Sequence, residues 1–381
     1  MVNRIGFLTG TRADYGKIKP LLQELVNCEG VKPLVLVTGM HRLPDFGSTV
    51  DDIRKDGLAE IHEFPNQVSG DRMEFALATT IQRLSPMVRD LRLDMLMVHG
   101  DRVEALAGAI VGSLNNILVG HLEGGEVSGS IDGSIRHAVS KLSHAHFVAN
   151  EEAAKRLRQL GESDDSIFVI GSPDVDVMLR GALPHIDDVK QRYLIPFKDY
   201  AILVFHPVTT ELTALKEHVD TIVKVVCESP DNYLVIGANN DQGTDVIAKA
   251  FEPLRENGRC KVFPSIEFES FLSLLRNARY IMGNSSAGVR EAQYLGVPAI
   301  NIGSRQKNRS RSPHILNVSP KYDEIMTGIG RVDAIRATCV RTGVREFGDG
   351  RAATLFRHII TDRNFWKMSV DKTFIDRSSV D

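Results

Sequence analysis

The stretch Val98–His146, VHGDRVEALAGAIVGSLNNILVGHLEGGEVSGSIDGSIRHAVSKLSHAH, decides how the rest of the chain is read. It gathers Asp101, Arg102, Glu123, Glu126, Asp132, Arg136 and five histidines in under fifty residues. Short apolar runs, Met95–Val98 and Ile117–Val119, lead into its densest polar clusters. They read as buried strands, with helices predicted over Val103–Leu114 and Ser134–Leu142, and strands alternating with helices of this length pair in parallel. Ligands bind at the carboxyl ends of such strands. Gly120, Gly124, Gly125, Gly129 and Gly133 leave the backbone free to turn or to approach a ligand. Burying so much charge beside apolar strands is costly unless the charge has a task. The competing reading is a solvated loop.

The same alternation extends outward in both directions. Upstream come strands at Ile5–Leu8 and Leu34–Val37, a helix over Lys17–Cys28, and a helix over Met73–Leu91 that Pro86 is expected to kink or split. Downstream lie a strand at Phe147–Ala149, a helix over Glu151–Leu160 and a strand at Ile167–Ile170. The region from Gly171 to about Tyr200, with three prolines, reads as a linker. Strands then recur at Ala201–Phe205, Tyr233–Ile236, Cys260–Phe263, Tyr280–Met282 and Ala299–Ile302, with helical spacing between them and again at Asp333–Val340 and Ala352–Ile360. The expected fold is α/β: two Rossmann-like, doubly wound parallel-sheet domains, residues 1–172 and 173–381, facing a central cleft, with the last helix free to pack back on the first domain.

Composition narrows the function. A chain of 381 residues is too long for one core, and 43% hydrophobic with 25% charged residues is ordinary for a globular protein. A net charge of −3 gives no reason to expect nucleic acid or an anionic membrane as partner. Cys28, Cys227, Cys260 and Cys339 are widely spaced, so neither a disulfide framework nor a zinc site is signalled. The first apolar run is too short for a secretory signal, and no run approaches a membrane span of about 18 residues. A cytoplasmic location is expected.

Two loops suit an anion. Thr9-Gly10-Thr11-Arg12 joins a strand to a helix, where backbone N–H groups and an arginine fork favour phosphate, although it reads equally well as an exposed turn. Gly283-Asn284-Ser285-Ser286-Ala287-Gly288 repeats the arrangement with two hydroxyls. Glu291 follows one turn later, placed for ribose hydroxyls, and Arg305 follows the next strand; an ordinary serine cap is the alternative. Arg12 from one half with Ser285 and Ser286 from the other would hold a diphosphate across the cleft. His206, directly after a strand in HPVTTE, is a phosphate or sugar contact candidate. Asp101, Glu123 and Asp132 form the chemical core, because breaking a glycosidic bond to phosphate develops oxocarbenium character that carboxylates stabilise or serve as acid and base. Glu104 reads as structural. The histidines lack metal-ligand spacing, so no metal and no cofactor is expected.

With these residues in view, the sequence resembles the UDP-N-acetylglucosamine 2-epimerase family, in particular its hydrolysing branch that begins sialic acid synthesis. GTRADYGKIKPLL, VTGMH, HGDRVEALAGA, HLEGGEVSGSIDGSIRHAVSKLSHAH, GSPDVD, FHPVTTE, GNSSAGVREA and GVPAINIGSRQ carry the likeness across nearly the whole chain, and HLEGGEVSG with SIRH resembles the hydrolysing branch. The resemblance implies a glycosyltransferase-B-like architecture and UDP binding by Arg12, Arg102, His206, Asn239, Ser285, Ser286, Glu291 and Arg305. Asp101, Glu123 and Asp132 match the family's acidic catalytic positions, and His206 joins them as a catalytic candidate. It further implies loss of UDP through a 2-acetamidoglucal, hydration to N-acetylmannosamine, and a homodimer or larger assembly. Gly133 and Ser304 depart from the usual Asp and Thr, and RQKNRSR (305–311) is more basic than relatives lead one to expect. The alternatives are the same chemistry on a UDP-diacetamido-trideoxyhexose, for a legionaminic-type acid, or a glycosyltransferase of the same architecture.

Overall fold

The computed structural model describes residues 2–376, apart from 45, 46, 48, 69, 129, 181, 182, 239, 308, 311 and 340–345. The chain divides into two compact units. One comprises Met1–Glu126, Asp132–Arg180 and Arg345–Asp381; the other comprises Val127–Ile131 and Gly181–Val344.

The first unit is built on β1 (Asn3–Thr9), β2 (Val31–Val37), β3 (Glu60–Glu63), β4 (Met95–His99), β5 (Leu118–Leu122), β6 (Ala145–Val148) and β7 (Ile167–Val169), in the order β3-β2-β1-β4-β5-β6-β7. Every pairing is parallel. Alternate residues feed opposite faces: Ile5, Phe7, Met95 and Met97 enter one apolar cluster, Leu8, Leu96 and Val98 the other. Helices α1 (Arg12–Leu25), α2 (Val50–Asp56), α3 (Met73–Asp90), α4 (Val103–Leu114), α5 (Ile131–Leu142), α6 (Glu151–Gln159) and α7 (Pro173–Arg180) connect and cover it.

The second unit holds α8 (Ile186–Arg192), β8 (Ala201–Val204), α9 (Leu212–Glu228), β9 (Tyr233–Ile236), α10 (Thr244–Ala250), α11 (Glu252–Glu256), β10 (Cys260–Phe263), α12 (Phe268–Asn277), β11 (Ile281–Gly283), α13 (Glu291–Tyr294), β12 (Ala299–Ile302), β13 (Ile315–Val318) and α14 (Tyr322–Thr338). Its sheet runs β10-β9-β8-β11-β12-β13, again all parallel. The two sheets therefore share one plan. In each, the winding reverses beside the first strand, between β1 and β4 and between β8 and β11, the point where doubly wound sheets open a crevice at their carboxyl edge.

Three local readings are corrected. Residues Gly171–Tyr200 are not a bare linker but carry α7 and α8. Asp176 on α7 accepts from the backbone N–H groups of Ala352 (2.9 Å) and Ala353 (2.8 Å), which satisfies the first turn of α15 (Ala352–Thr361) and ties it into the first unit. There Phe356 packs edge-on against Phe147, with ring centroids 4.9 Å apart. Helix α3 is not split at Pro86 but continues through it to Asp90. Helix α1 begins at Arg12 rather than Lys17, because Thr11 and Asp14 close a reciprocal cap around its first turn. Among the described residues no helix is long and apolar enough to cross a membrane.

Candidate active site

Strands β4 and β5 are neighbours in register, His99 opposite Leu122, so the residues that follow them emerge side by side at the carboxyl edge. Asp101 lies two residues beyond β4 and Glu123 directly beyond β5. Glu123 is almost fully buried and holds a left-handed backbone, φ 63°, a conformation costly for a residue with a side chain. Its N–H donates to the Phe147 carbonyl (3.0 Å), and Arg136 of α5 donates from Nη1 to its carbonyl (2.6 Å). The other arm of Arg136, Nη2, pairs with the Asp101 carboxylate. One buried guanidinium thus ties the Asp101 carboxylate to the backbone of Glu123. The next turn needs Gly125, at φ 74°, where a Cβ would stand 2.2 Å from the Ala153 carbonyl oxygen.

The Glu123 carboxylate is surrounded by donors. Lys17 Nζ reaches Oε1 at 3.0 Å and Oε2 at 3.2 Å, Ser172 Oγ donates to Oε1 at 2.7 Å, and His99 Nε2 lies 3.2 Å from Oε2. Asp174 Oδ2 stands 3.7 Å from Lys17 Nζ. On the far side of His99, Nδ1 meets Asp14 Oδ1 at 3.2 Å. Burial alone would discharge His99, but the Glu123 charge and the contacts with Asp14 and Glu123 outweigh it and raise its pKa to about 9. Burial likewise works against the Asp14 carboxyl, yet the hydrogen bond and charge of His99 hold it below the ordinary carboxylate value.

Burial lowers the pKa of His121, His137, His144 and His146. Burial depresses His121 to about 3, and its ring bridges the Gly100 carbonyl (2.8 Å) and Ser140 Oγ (3.0 Å). His144 Nδ1 accepts from the Val119 N–H at 2.9 Å, and His146 Nε2 lies 3.0 Å from Glu162. These rings brace the strand edges.

The first anion loop is not open in the way its sequence suggests. The N–H groups of Gly10 and Thr11 donate to Asp14 Oδ2 at 3.3 and 3.1 Å, so an internal carboxylate takes the place a phosphate would occupy. Arg12 Nη2 lies 2.5 Å from Asp52 on α2, and Arg102 Nε is 3.4 Å from Glu104. Asp132 occupies the first turn of α5, half-buried, one turn before Arg136.

In the second unit the candidates converge on Asn284. Its Oδ1 accepts from the His206 N–H (2.7 Å) and its Nδ2 donates to the His206 carbonyl (2.8 Å), which locks the β8 loop to the β11 loop. Its own carbonyl accepts from Arg305 Nη1 (3.2 Å) and Gln306 Nε2 (3.0 Å). Ser285 caps a single turn of 3-10 helix over Ser286–Gly288. Glu291, buried, heads the one-turn α13. Asn239 lies outside the described residues.

Sequence reasoning missed Lys17 and Ser172 as neighbours of Glu123, and Asp14 as the neighbour of His99. The available signal was the pair Asp14 and Lys17, three apart on the apolar stripe that continues through Ile18, Leu21 and Leu25. Charges on a core-facing stripe need partners.

The model of the family described as UDP-N-acetylglucosamine 2-epimerase matches residues 23–361. The chain is 42% identical to UDP-N-acetylglucosamine 2-epimerase of Neisseria meningitidis serogroup B, across 98% of this chain and 99% of the relative. It belongs to the UDP-N-acetylglucosamine 2-epimerase family. Another family member, UDP-N,N'-diacetylbacillosamine 2-epimerase (hydrolyzing) of Legionella pneumophila, is 32% identical over 86% of this chain and 88% of its own length. The fold agrees with that of a solved Neisseria meningitidis UDP-GlcNAc 2-epimerase bound to UDP-GlcNAc, with a TM-score of 0.77 at 17% identity, covering 94% of this chain and 99% of that one. Two parallel-sheet α/β units in one chain are the glycosyltransferase-B-like architecture expected from the sequence.

Proposed function

We propose that this family member is a hydrolysing 2-epimerase, converting UDP-N-acetylglucosamine and water to N-acetylmannosamine and UDP for sialic acid synthesis. The observation that carries the proposal is the acidic edge of the first sheet, with Asp101 and Glu123 tied to one buried arginine and Asp132 one turn before it on the same helix. The identity to the Neisseria relative along the whole chain supports the sugar nucleotide, and the hydrolysing activity of the Legionella relative supports the hydrolysing outcome.

The C2 proton of the substrate is not acidified by a carbonyl, so departure of the diphosphate drives its loss. The C1–O bond breaks with its electrons leaving on UDP, a carboxylate takes the C2 proton, and a C1–C2 double bond forms. Water then adds at C1 while a proton returns to C2 from the opposite face. The role of the second unit in this reading is to hold UDP through His206, Ser285, Ser286, Glu291 and Arg305. Stabilising the departing diphosphate is where such donors contribute most to rate.

The test is proton NMR of the protein with UDP-N-acetylglucosamine in deuterated water. UDP and N-acetylmannosamine carrying deuterium at C2 are expected; release of UDP-N-acetylmannosamine instead refutes the hydrolysing outcome. The second reading, favoured by the Legionella relative, is the same chemistry on a UDP-diacetamido-trideoxyhexose, and turnover confined to that substrate establishes it. Asp132→Asn is expected to lower turnover by roughly two orders of magnitude, the scale of a lost acid–base group, with UDP affinity by calorimetry nearly unchanged. Normal turnover in that variant removes Asp132 from the chemistry.

A further inference from the structure

Asp14 has no part in the reaction as written, yet it sits at the end of a continuous line of buried charge. Its Oδ2 is engaged by the Gly10 and Thr11 N–H groups, and its Oδ1 faces His99 Nδ1 at 3.2 Å. The opposite ring nitrogen, Nε2, lies 3.2 Å from Glu123 Oε2. A neutral imidazole carries one N–H and leaves one of two facing carboxylates against a lone pair. Only the imidazolium can donate to Asp14 from Nδ1 and still set positive charge against Glu123, a contact of charge rather than an aligned hydrogen bond.

We propose that Asp14 is a positioning residue of the site, holding His99 protonated beside Glu123 so that the Glu123 carboxylate stays an anion. Glu123 then stabilises positive charge at the reacting sugar, and the C2 proton passes to a different carboxylate. The assignment of that role to Glu123 rests on the reaction proposed above; the charge on His99 does not.

The other charges around the line fit this arrangement. Lys17 shares the Glu123 carboxylate and is balanced by Asp174, Arg102 acts on Asp14, and Arg136 engages the Glu123 carbonyl and Asp101. The nearby rings of His41 and His121 are kept neutral by burial, so they add no competing charge. His99 is thus the titrating member between Asp14 and Glu123, and the charge it carries disappears as pH rises through a value near 9.

The experiment compares the wild-type chain with Asp14→Asn, Asp14→Glu and Thr11→Ala. Thr11→Ala removes the α1 cap, which accepts from the Asp14 N–H, but leaves the Asp14–His99 contact in place. In wild type, turnover is expected to fall along an alkaline limb near pH 9. Asp14→Asn should bring that limb down by at least about one pH unit, the usual weight of a removed opposite charge, with little change in KM. Asp14→Glu should restore it in part, and Thr11→Ala should leave it in place. A limb unmoved in Asp14→Asn, or moved equally in Thr11→Ala, overturns the proposal. Titration of the His99 ring by NMR of histidine-labelled protein, with His99→Gln identifying the signal, reads the same charge without substrate. An ordinary His99 pKa in wild type also overturns it. If the protein turns over no UDP sugar, the reaction reading fails and the ring titration alone decides this one.

Discussion

Replacing Lys17 with methionine is expected to remove about 3–5 kcal/mol of stability, the scale measured when one partner of a buried ion pair is deleted, and to abolish turnover. Lys17 is buried on the face of α1 that packs on the sheet, with its Nζ 3.0 Å from Glu123 Oε1 and 3.7 Å from Asp174 Oδ2. Both carboxylates are themselves buried. Methionine keeps the length and packs well, so the loss measures charge rather than volume. Two buried carboxylates would remain without the lysine they share, and either one can shed its charge only by taking up a proton. The deficit should therefore shrink as pH falls, since protonation removes the uncompensated charge. Urea unfolding at pH 5 and pH 8 checks this. A variant with wild-type stability at both values means that Lys17 does not carry the pair.

The central strands of both sheets were legible because burial on both faces leaves continuous apolar runs such as Met95–Val98 and Ala201–Val204. The edges were not. Strand β3 reads EIHE and β13 reads ILNV, each paired on one side only and partly exposed, so neither carries an apolar run long enough to separate from a loop. Helix α7 was hidden inside a proline-rich stretch because Pro173 occupies its first position, where a missing N–H costs nothing. In the site, strand-to-loop order alone placed Asp101 and Glu123 on one edge. What surrounds them was out of reach: Lys17, 106 residues from Glu123, and Ser172, 49 residues away, arrive through β1–α1 and β7–α7 packing. Pairing over such distances is set by sheet order, which the local pattern does not contain. The anion loop after β1 misled for a related reason. Its N–H groups are real donors, but Asp14, one helical turn on, reaches them first.

In the second unit, Gly283→Ala is expected to cost about 4 kcal/mol or more, the exceptional end of single substitutions, and to remove UDP binding. Two effects add. Gly283 holds φ 128°, a region closed to residues with a side chain, and a Cβ there would stand 1.9 Å from the Val204 carbonyl oxygen. That oxygen is the acceptor of the Asn284 N–H (3.1 Å), and Gly283 is the register partner of Val204. The clash therefore falls on the hydrogen bonds that align β11 with β8, at the carboxyl edge where the sheet reverses its winding. Relief requires the β11 loop to move away from β8. Such a movement would separate the Asn284 side chain from the His206 backbone, which it grips through both its oxygen and its nitrogen. Ser285, Ser286 and the Arg305 contact on the Asn284 carbonyl would shift with it. Denaturant unfolding and calorimetry with UDP check the two halves of the expectation. A Gly283→Ala protein that keeps both its stability and its affinity would show that this close approach does not set the loop, and the second unit would need another account of how it gathers His206, Ser285 and Arg305.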